Sequence, residues 1–156
     1  MSAISTESYR TVFKVRETTT GKILAAKQLN GNIEDSEILK EYELGLCFSH
    51  PTILEYYGFS FNVFNNEPNP VIFTQFLRNG SLDTVIKLEK SRKSPSNWND
   101  TKKLINIYGI AFGMTIIHSH NIIHRDLKPS NVFEDKNYYP KIGDFGLSRM
   151  NDFTSL

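Results

Sequence analysis

The stretch IIHRDLKPSNVF, Ile122 to Phe133, decides how the rest of this chain is read. Apolar residues bracket a run that holds His124, Arg125, Asp126, Lys128 and Asn131. Alone, the run reads as a polar loop behind a helix. KIGDFGLSR, Lys141 to Arg149, follows and puts Asp144 eighteen positions after Asp126. Alone, its Asp-Phe-Gly reads as a plain turn. Far upstream, ILAAKQ, Ile23 to Gln28, alternates as a strand does and carries Lys27, which alone reads as an exposed strand lysine. Together and in this order, the three pieces are far more specific than any one of them.

The surrounding sequence supplies elements to carry them. Residues 9 to 29 read as two strands joined by a Thr-Gly turn, Thr20-Gly21. The spacing of Ile38, Leu39, Tyr42, Leu44 and Leu46 predicts a helix over Ile33 to Phe48, stopped before Pro51. TILEYYGFSF and PVIFTQFL predict strands around a polar turn, Asn65 to Pro70. Ser81 is placed to cap a short helix from Leu82 to Lys90. After the polar loop Ser91 to Asp100, capped by Asp100 or Thr101, comes KKLINIYGIAFGMTIIHSH, apolar enough to predict a buried helix. Gly109 and Gly113 lie four apart on one of its faces, which predicts close packing against another element. Strands dominate the first half and a long helix opens the second, an α+β pattern with two subdomains.

Composition narrows the class. The chain has 156 residues, 39% hydrophobic and 22% charged, with a formal net charge of +1. This is enough for one domain with a core, and it gives no broad electrostatic case for nucleic acid, membrane or acidic partners. The single cysteine, Cys47, cannot form an internal disulfide and fits a reducing compartment. No apolar run reaches spanning length, and the first thirty residues hold no signal-peptide core. The expectation is a soluble, intracellular, cytoplasmic protein.

HRDLKPSN, its spacing to DFG and the strand lysine resemble a eukaryotic protein kinase domain from about Ile4 to Ser148. Lys128 two positions after Asp126, followed by Pro-Ser, resembles Ser/Thr rather than tyrosine kinases; HPTILEYYGF and NGSLDTVI resemble the tyrosine-kinase-like branch. The resemblance implies a protein-kinase-like α+β fold: an N-terminal antiparallel sheet lobe with one helix, then the beginning of a helical C-terminal lobe. It divides the chain into an N-lobe and hinge over 4–77, and an incomplete C-lobe over 78–156 with the catalytic loop and the start of the activation segment. The partners it implies are ATP with Mg2+ and a protein Ser/Thr hydroxyl.

It also assigns roles. Phosphoryl transfer needs positioning and charge neutralisation more than covalent help. Asp126 takes or orients the proton of the substrate hydroxyl, and Lys128 meets the transferred phosphate as a point charge. Asn131 and Asp144 offer the oxygen ligands that magnesium prefers. Lys27 holds the inner phosphates with Glu41 as its partner, although Glu37, Glu41 and Glu43 also read as one solvated helix face. Thr74 stands at the gatekeeper position. Gln75, Phe76 and Leu77 form the hinge, whose backbone pairs with adenine. Val12, Ala25 and Phe133 sandwich the ring, or serve as core.

Three features depart from the family. G-x-G-x-x-G-x-V maps onto Ser5-x-Glu7-x-x-Arg10-x-Val12, so the valine fits and all three glycines are gone. Glycine serves there by letting backbone N–H groups approach phosphate oxygens, so weaker ATP binding is expected, with Glu7 the least favourable residue. The sequence stops twelve positions after Asp144, before the rest of the activation segment and the helices that support the catalytic loop, and little of a first strand precedes the loop. Gly45, one turn after Glu41, replaces a bulky apolar residue, a gap for Tyr56 or Phe48 to fill. The expected function is that of an ATP-dependent protein serine/threonine kinase by family, with the chain alone weak or inactive. The alternative is a non-catalytic, kinase-like binding module or gene fragment.

Overall fold

Lys27 lies on the central strand of a five-stranded antiparallel sheet. The computed structural model describes residues 2–7, 10–30, 34–61 and 70–151. The chain divides into two compact units, one of Met1–Leu46 with Glu55–Phe76 and one of Cys47–Leu54 with Leu77–Leu156. In the first, strands β1 (Ser2–Glu7), β2 (Arg10–Arg16), β3 (Ile23–Leu29), β4 (Tyr56–Ser60) and β5 (Val71–Gln75) run in the order β1-β2-β3-β5-β4. Helix α1 (Asp35–Leu46) packs against β4, with the Tyr42 ring 4.9 Å from that of Phe59. Leu24 and Ala26 are buried on one face of β3, the face that Val71 of β5 shares, while Ile72 is buried on the opposite face, opposite Lys27.

Several boundaries differ from the sequence reading. Ser2–Glu7 is a strand paired with β2 and closed by Glu7 opposite Arg10, where a short first strand and a loop were expected. β-Prone Ile4 and Thr6 favour extension there. Ser8, Tyr9 and the expected turn Asn65 to Asn69 lie outside the described residues. Helix α1 stops at Leu46 rather than Phe48. Phe48 belongs instead to the second unit, where its ring stacks on that of Phe145 at 5.3 Å. Thr52–Glu55, expected to be strand, passes through a turn; Leu54 N–H donates to Ile142 O and Ile142 N–H to Thr52 O.

The second unit contains α2 (Leu82–Lys90), α3 (Asp100–Ser119) and two small sheets. One pairs β6 (Ile122–Ile123) with β9 (Arg149–Met150), and the other pairs β7 (Val132–Glu134) with β8 (Pro140–Ile142). Ser81 caps α2, its hydroxyl accepting from Thr84 N–H. Asn99, not Asp100 or Thr101, caps α3: its backbone is extended and its Oδ1 accepts from Lys102 N–H at 3.1 Å. Helix α3 is buried on one face only. Asn106, Gly109, Gly113 and Ile117 face inward, while Leu104, Ile107 and Tyr108 are 67%, 67% and 73% exposed. No helix among the described residues is long and apolar enough to cross a membrane.

The two helix glycines are where β8 approaches. A Cβ on Gly109 would stand 2.6 Å from Pro140 Cγ, and one on Gly113 2.8 Å from both Ile142 Cδ1 and Thr52 Oγ1. Gly113→Ala is therefore expected to destabilise the chain by about 1–3 kcal/mol despite alanine's better helix propensity. Urea unfolding measures this, and an unchanged or raised midpoint would contradict the packing argument.

Candidate functional site

Strand register gathers one set of residues. Lys27 stands opposite Val12 of β2 and Ile72 of β5; Ala25 stands opposite Lys14 and Thr74. Side chains alternate along a strand, so Val12, Ala25, Lys27 and Thr74 share one face of the sheet. Gln75 pairs with Leu24 and points to the other face, while its N–H donates to Glu55 O at 2.9 Å. From α1, Glu41 reaches the lysine: Lys27 Nζ donates to Glu41 Oε1 at 2.8 Å and Oε2 at 2.9 Å. Glu41 is only 4% exposed, so the lysine supplies a countercharge that water does not. Tyr56 adds its hydroxyl at 3.5 Å from Glu41 Oε1.

The second unit gathers the other set on the loop between β6 and β7. Asp126 Oδ2 accepts from Lys128 Nζ at 2.8 Å and from Asn131 Nδ2 at 2.8 Å. Asn131 Nδ2 also donates to Asp126 O at 2.9 Å. With its nitrogen turned to Asp126, the amide presents Oδ1 as its acceptor. Asn131 sits in a single 3-10 turn, Pro129–Asn131, and its backbone carbonyl accepts from Gly143 N–H at 3.0 Å. This bond sets Asn131 beside the residue that precedes Asp144. Phe133 is half-buried on β7, opposite Lys141, and bridges to Ser81. Leu77 begins this unit's second segment, with its carbonyl accepting from Gly80 N–H at 3.2 Å.

Arg125 and Asp144 adopt left-handed backbone angles, φ +66° and +67°. Such conformations cost on the order of 1 kcal/mol or more each and persist where surrounding bonds over-determine them. His124 supplies those bonds. Buried at 1% exposure, its Nε2 donates to Gly143 O at 3.1 Å, so its Nδ1 is the acceptor for Asp126 N–H at 3.3 Å. Burial pulls the imidazole below its usual pKa and keeps it neutral, which this tautomer requires. Ser148, also buried, donates from its hydroxyl to His124 O at 3.0 Å. Phe145 is fully buried, its ring 5.3 Å from that of His124.

Sequence reasoning gave His124, Ser148 and Phe145 no role, although all three lie in the quoted stretches. A single chain shows that they are near reactive residue types but not that their side chains turn inward to tie the two stretches together. It also missed Asn106 and Glu134, a buried polar pair behind the loop with Nδ2 3.5 Å from Oε2. A polar residue inside an apolar helix was the available signal. The gap at Gly45 is filled by Tyr56; Phe48 serves elsewhere.

Asn131 and Asp144 fit a hard cation: one amide oxygen and one carboxylate, on segments joined by a backbone bond. Among the described residues no group of three or more His, Cys, Asp or Glu side chains is placed to hold a metal, so further ligands would come from phosphate and water.

Residues 4–154 match the protein kinase domain. The chain is 36% identical over 141 residues to a probable serine/threonine-protein kinase of Dictyostelium discoideum, covering 86% of this chain and 10% of that protein. It is 32% identical to the mitogen-activated protein kinase pmk-1 of Caenorhabditis elegans, over 97% of this chain and 40% of the relative. It is likewise 32% identical to the Pelle-like serine/threonine-protein kinase pik-1 of the same organism, over 95% of this chain and 32% of the relative. The chain thus spans well under half the length of these curated relatives.

Proposed function

We propose that this chain, which belongs to the protein kinase family, carries the ATP- and magnesium-binding and catalytic residues of a protein serine/threonine kinase. The observation that carries the reading is the Asp126 carboxylate, held on one oxygen by both Lys128 and Asn131. Fixing Oδ2 leaves Oδ1 to accept the proton of a Ser or Thr hydroxyl as that oxygen bonds to the γ-phosphorus and ADP departs. Lys128, 47% exposed at its side chain, follows the transferred charge. Lys27, oriented by Glu41, holds the inner phosphates. Backbone groups of Gln75 and Leu77 meet adenine beside Thr74, with Val12, Ala25 and Phe133 against the ring. Asn131 Oδ1 and Asp144 hold magnesium, which neutralises phosphate charge when bound. On this reading the protein works in the cytoplasm, with a Ser/Thr-bearing protein as partner.

A second reading has its own observation. Glu7 and Arg10 close the β1–β2 hairpin where the resemblance expects glycines, which favours a binding module with low nucleotide affinity. Transfer of radiolabelled phosphate from ATP to a Ser/Thr substrate, lost in Asp126→Ala, supports the first reading; nucleotide binding without transfer in the full-length protein supports the second. Calorimetry adds a division of labour. Asp144→Asn is expected to weaken Mg-ATP binding by about tenfold or more, because it removes the charged metal ligand. Asp126→Asn is expected to leave binding within about twofold, since that group faces the hydroxyl. Equal behaviour of the two variants would overturn these assignments.

A further inference from the structure

The last turn of α1 carries a glycine, Gly45, one residue before the helix ends. A Cβ on Gly45 would stand 2.5 Å from Tyr56 Cγ and Cδ2 and 2.7 Å from Cδ1. The ring therefore occupies the volume that any side chain at position 45 would need. Tyr56 opens β4 and is 7% exposed. Glu41 lies one turn before Gly45, on the same helix face. Lying against the bare helix backbone, the ring brings its hydroxyl to 3.5 Å from Glu41 Oε1, the outer limit of a hydrogen bond. That carboxylate, 4% exposed, gives each of its oxygens to Lys27 Nζ.

We infer that Tyr56 is a positioning residue for the Lys27–Glu41 pair, reaching Glu41 through the notch that Gly45 leaves in helix α1. The hydroxyl holds the carboxylate in the rotamer that presents both oxygens to Nζ, and so aims the lysine. The docking of α1 on β4 has a separate anchor in Tyr42 and Phe59, so removing the hydroxyl leaves the helix in place. The inference rests on the proposed role of Lys27 only for its effect on nucleotide binding.

The test is Tyr56→Phe, which keeps the ring and removes the hydroxyl. The first readout is the rate at which Lys27 Nζ is acylated by a small amine-reactive ester, site by site by mass spectrometry, with exposed Lys14 as reference. The expected result is acylation of Lys27 faster by about threefold or more, as one buried hydrogen bond is lost, with Lys14 unchanged. Gly45→Ala, which pushes the ring off the helix, is expected to do the same, and the double variant to add nothing further. The second readout is the Kd for Mg-ATP, expected to weaken by a similar factor. Unchanged Lys27 acylation in Tyr56→Phe overturns the inference. Faster acylation with unchanged Mg-ATP affinity upholds it and overturns Lys27 as the phosphate-binding group.

Discussion

Lys27→Met is expected to destabilise the chain by about 3–5 kcal/mol, far more than an ordinary surface lysine. Methionine keeps most of the lysine's apolar stem, so packing changes little. What changes is that Glu41, 4% exposed, loses the cation that both its oxygens contact. A buried carboxylate without its partner either keeps an uncompensated charge or takes up a proton, and both cost stability. The pair as a whole is a different matter, because taking two charges out of water consumes much of their attraction. Lys27→Met with Glu41→Gln is therefore expected to recover most of the loss. Urea unfolding of the four forms gives the coupling directly. A cost below about 1 kcal/mol for Lys27→Met, or simple additivity in the cycle, would show that the pair is not coupled as the geometry implies.

The second large effect concerns pH. Glu134 is fully buried, one oxygen 3.5 Å from Asn106 Nδ2. Its Oε1 and Asn106 Oδ1 find no donor among the described residues. Asn106 Nδ2 also serves the carbonyls of Lys102 and Tyr138. Two acceptors left without a donor favour the carboxylic acid, whose O–H supplies one. Burial, with a smaller push from the charge of Asp135, raises the pKa from 4.5 to about 7 against the pull of Asn106. A carboxyl raised in the folded state binds a proton that the unfolded chain has already released. Its stabilising effect is full below pH 4.5 and falls until pH passes the folded value near 7. Over that window the loss amounts to roughly 3 kcal/mol. Glu134→Gln carries an N–H at every pH and has no charge to bury. Relative to the parent chain it should gain about 3 kcal/mol on going from pH 4.5 to 7.5, as read from denaturant midpoints. Parallel pH profiles for the two proteins would rule out a protonated Glu134.

The sequence by itself determined the family, the α+β class and the residue types of the candidate chemistry. Those properties live in local runs: HRDLKPSN, DFG and an alternating strand carrying Lys27 are legible because spacing along the chain is all they need. The helix Leu82–Lys90 and its Ser81 cap were legible for the same reason, since a cap and its helix are neighbours in sequence. The resemblance singled out Glu41 as the partner of Lys27, while residue type alone left Glu37, Glu41 and Glu43 as one solvated helix face; only the docked helix puts both Glu41 oxygens on Lys27 Nζ. The same holds for His124, Ser148 and Phe145, whose partners lie 19 or more positions away or across another element. It holds for Phe48, which ends α1 early by joining a different core, and for the single buried face of α3. Tyr56 and Gly45 make the point most simply. Their fit is a matter of one Cβ's volume, set by where a strand crosses a helix, and no periodicity in the sequence encodes that crossing.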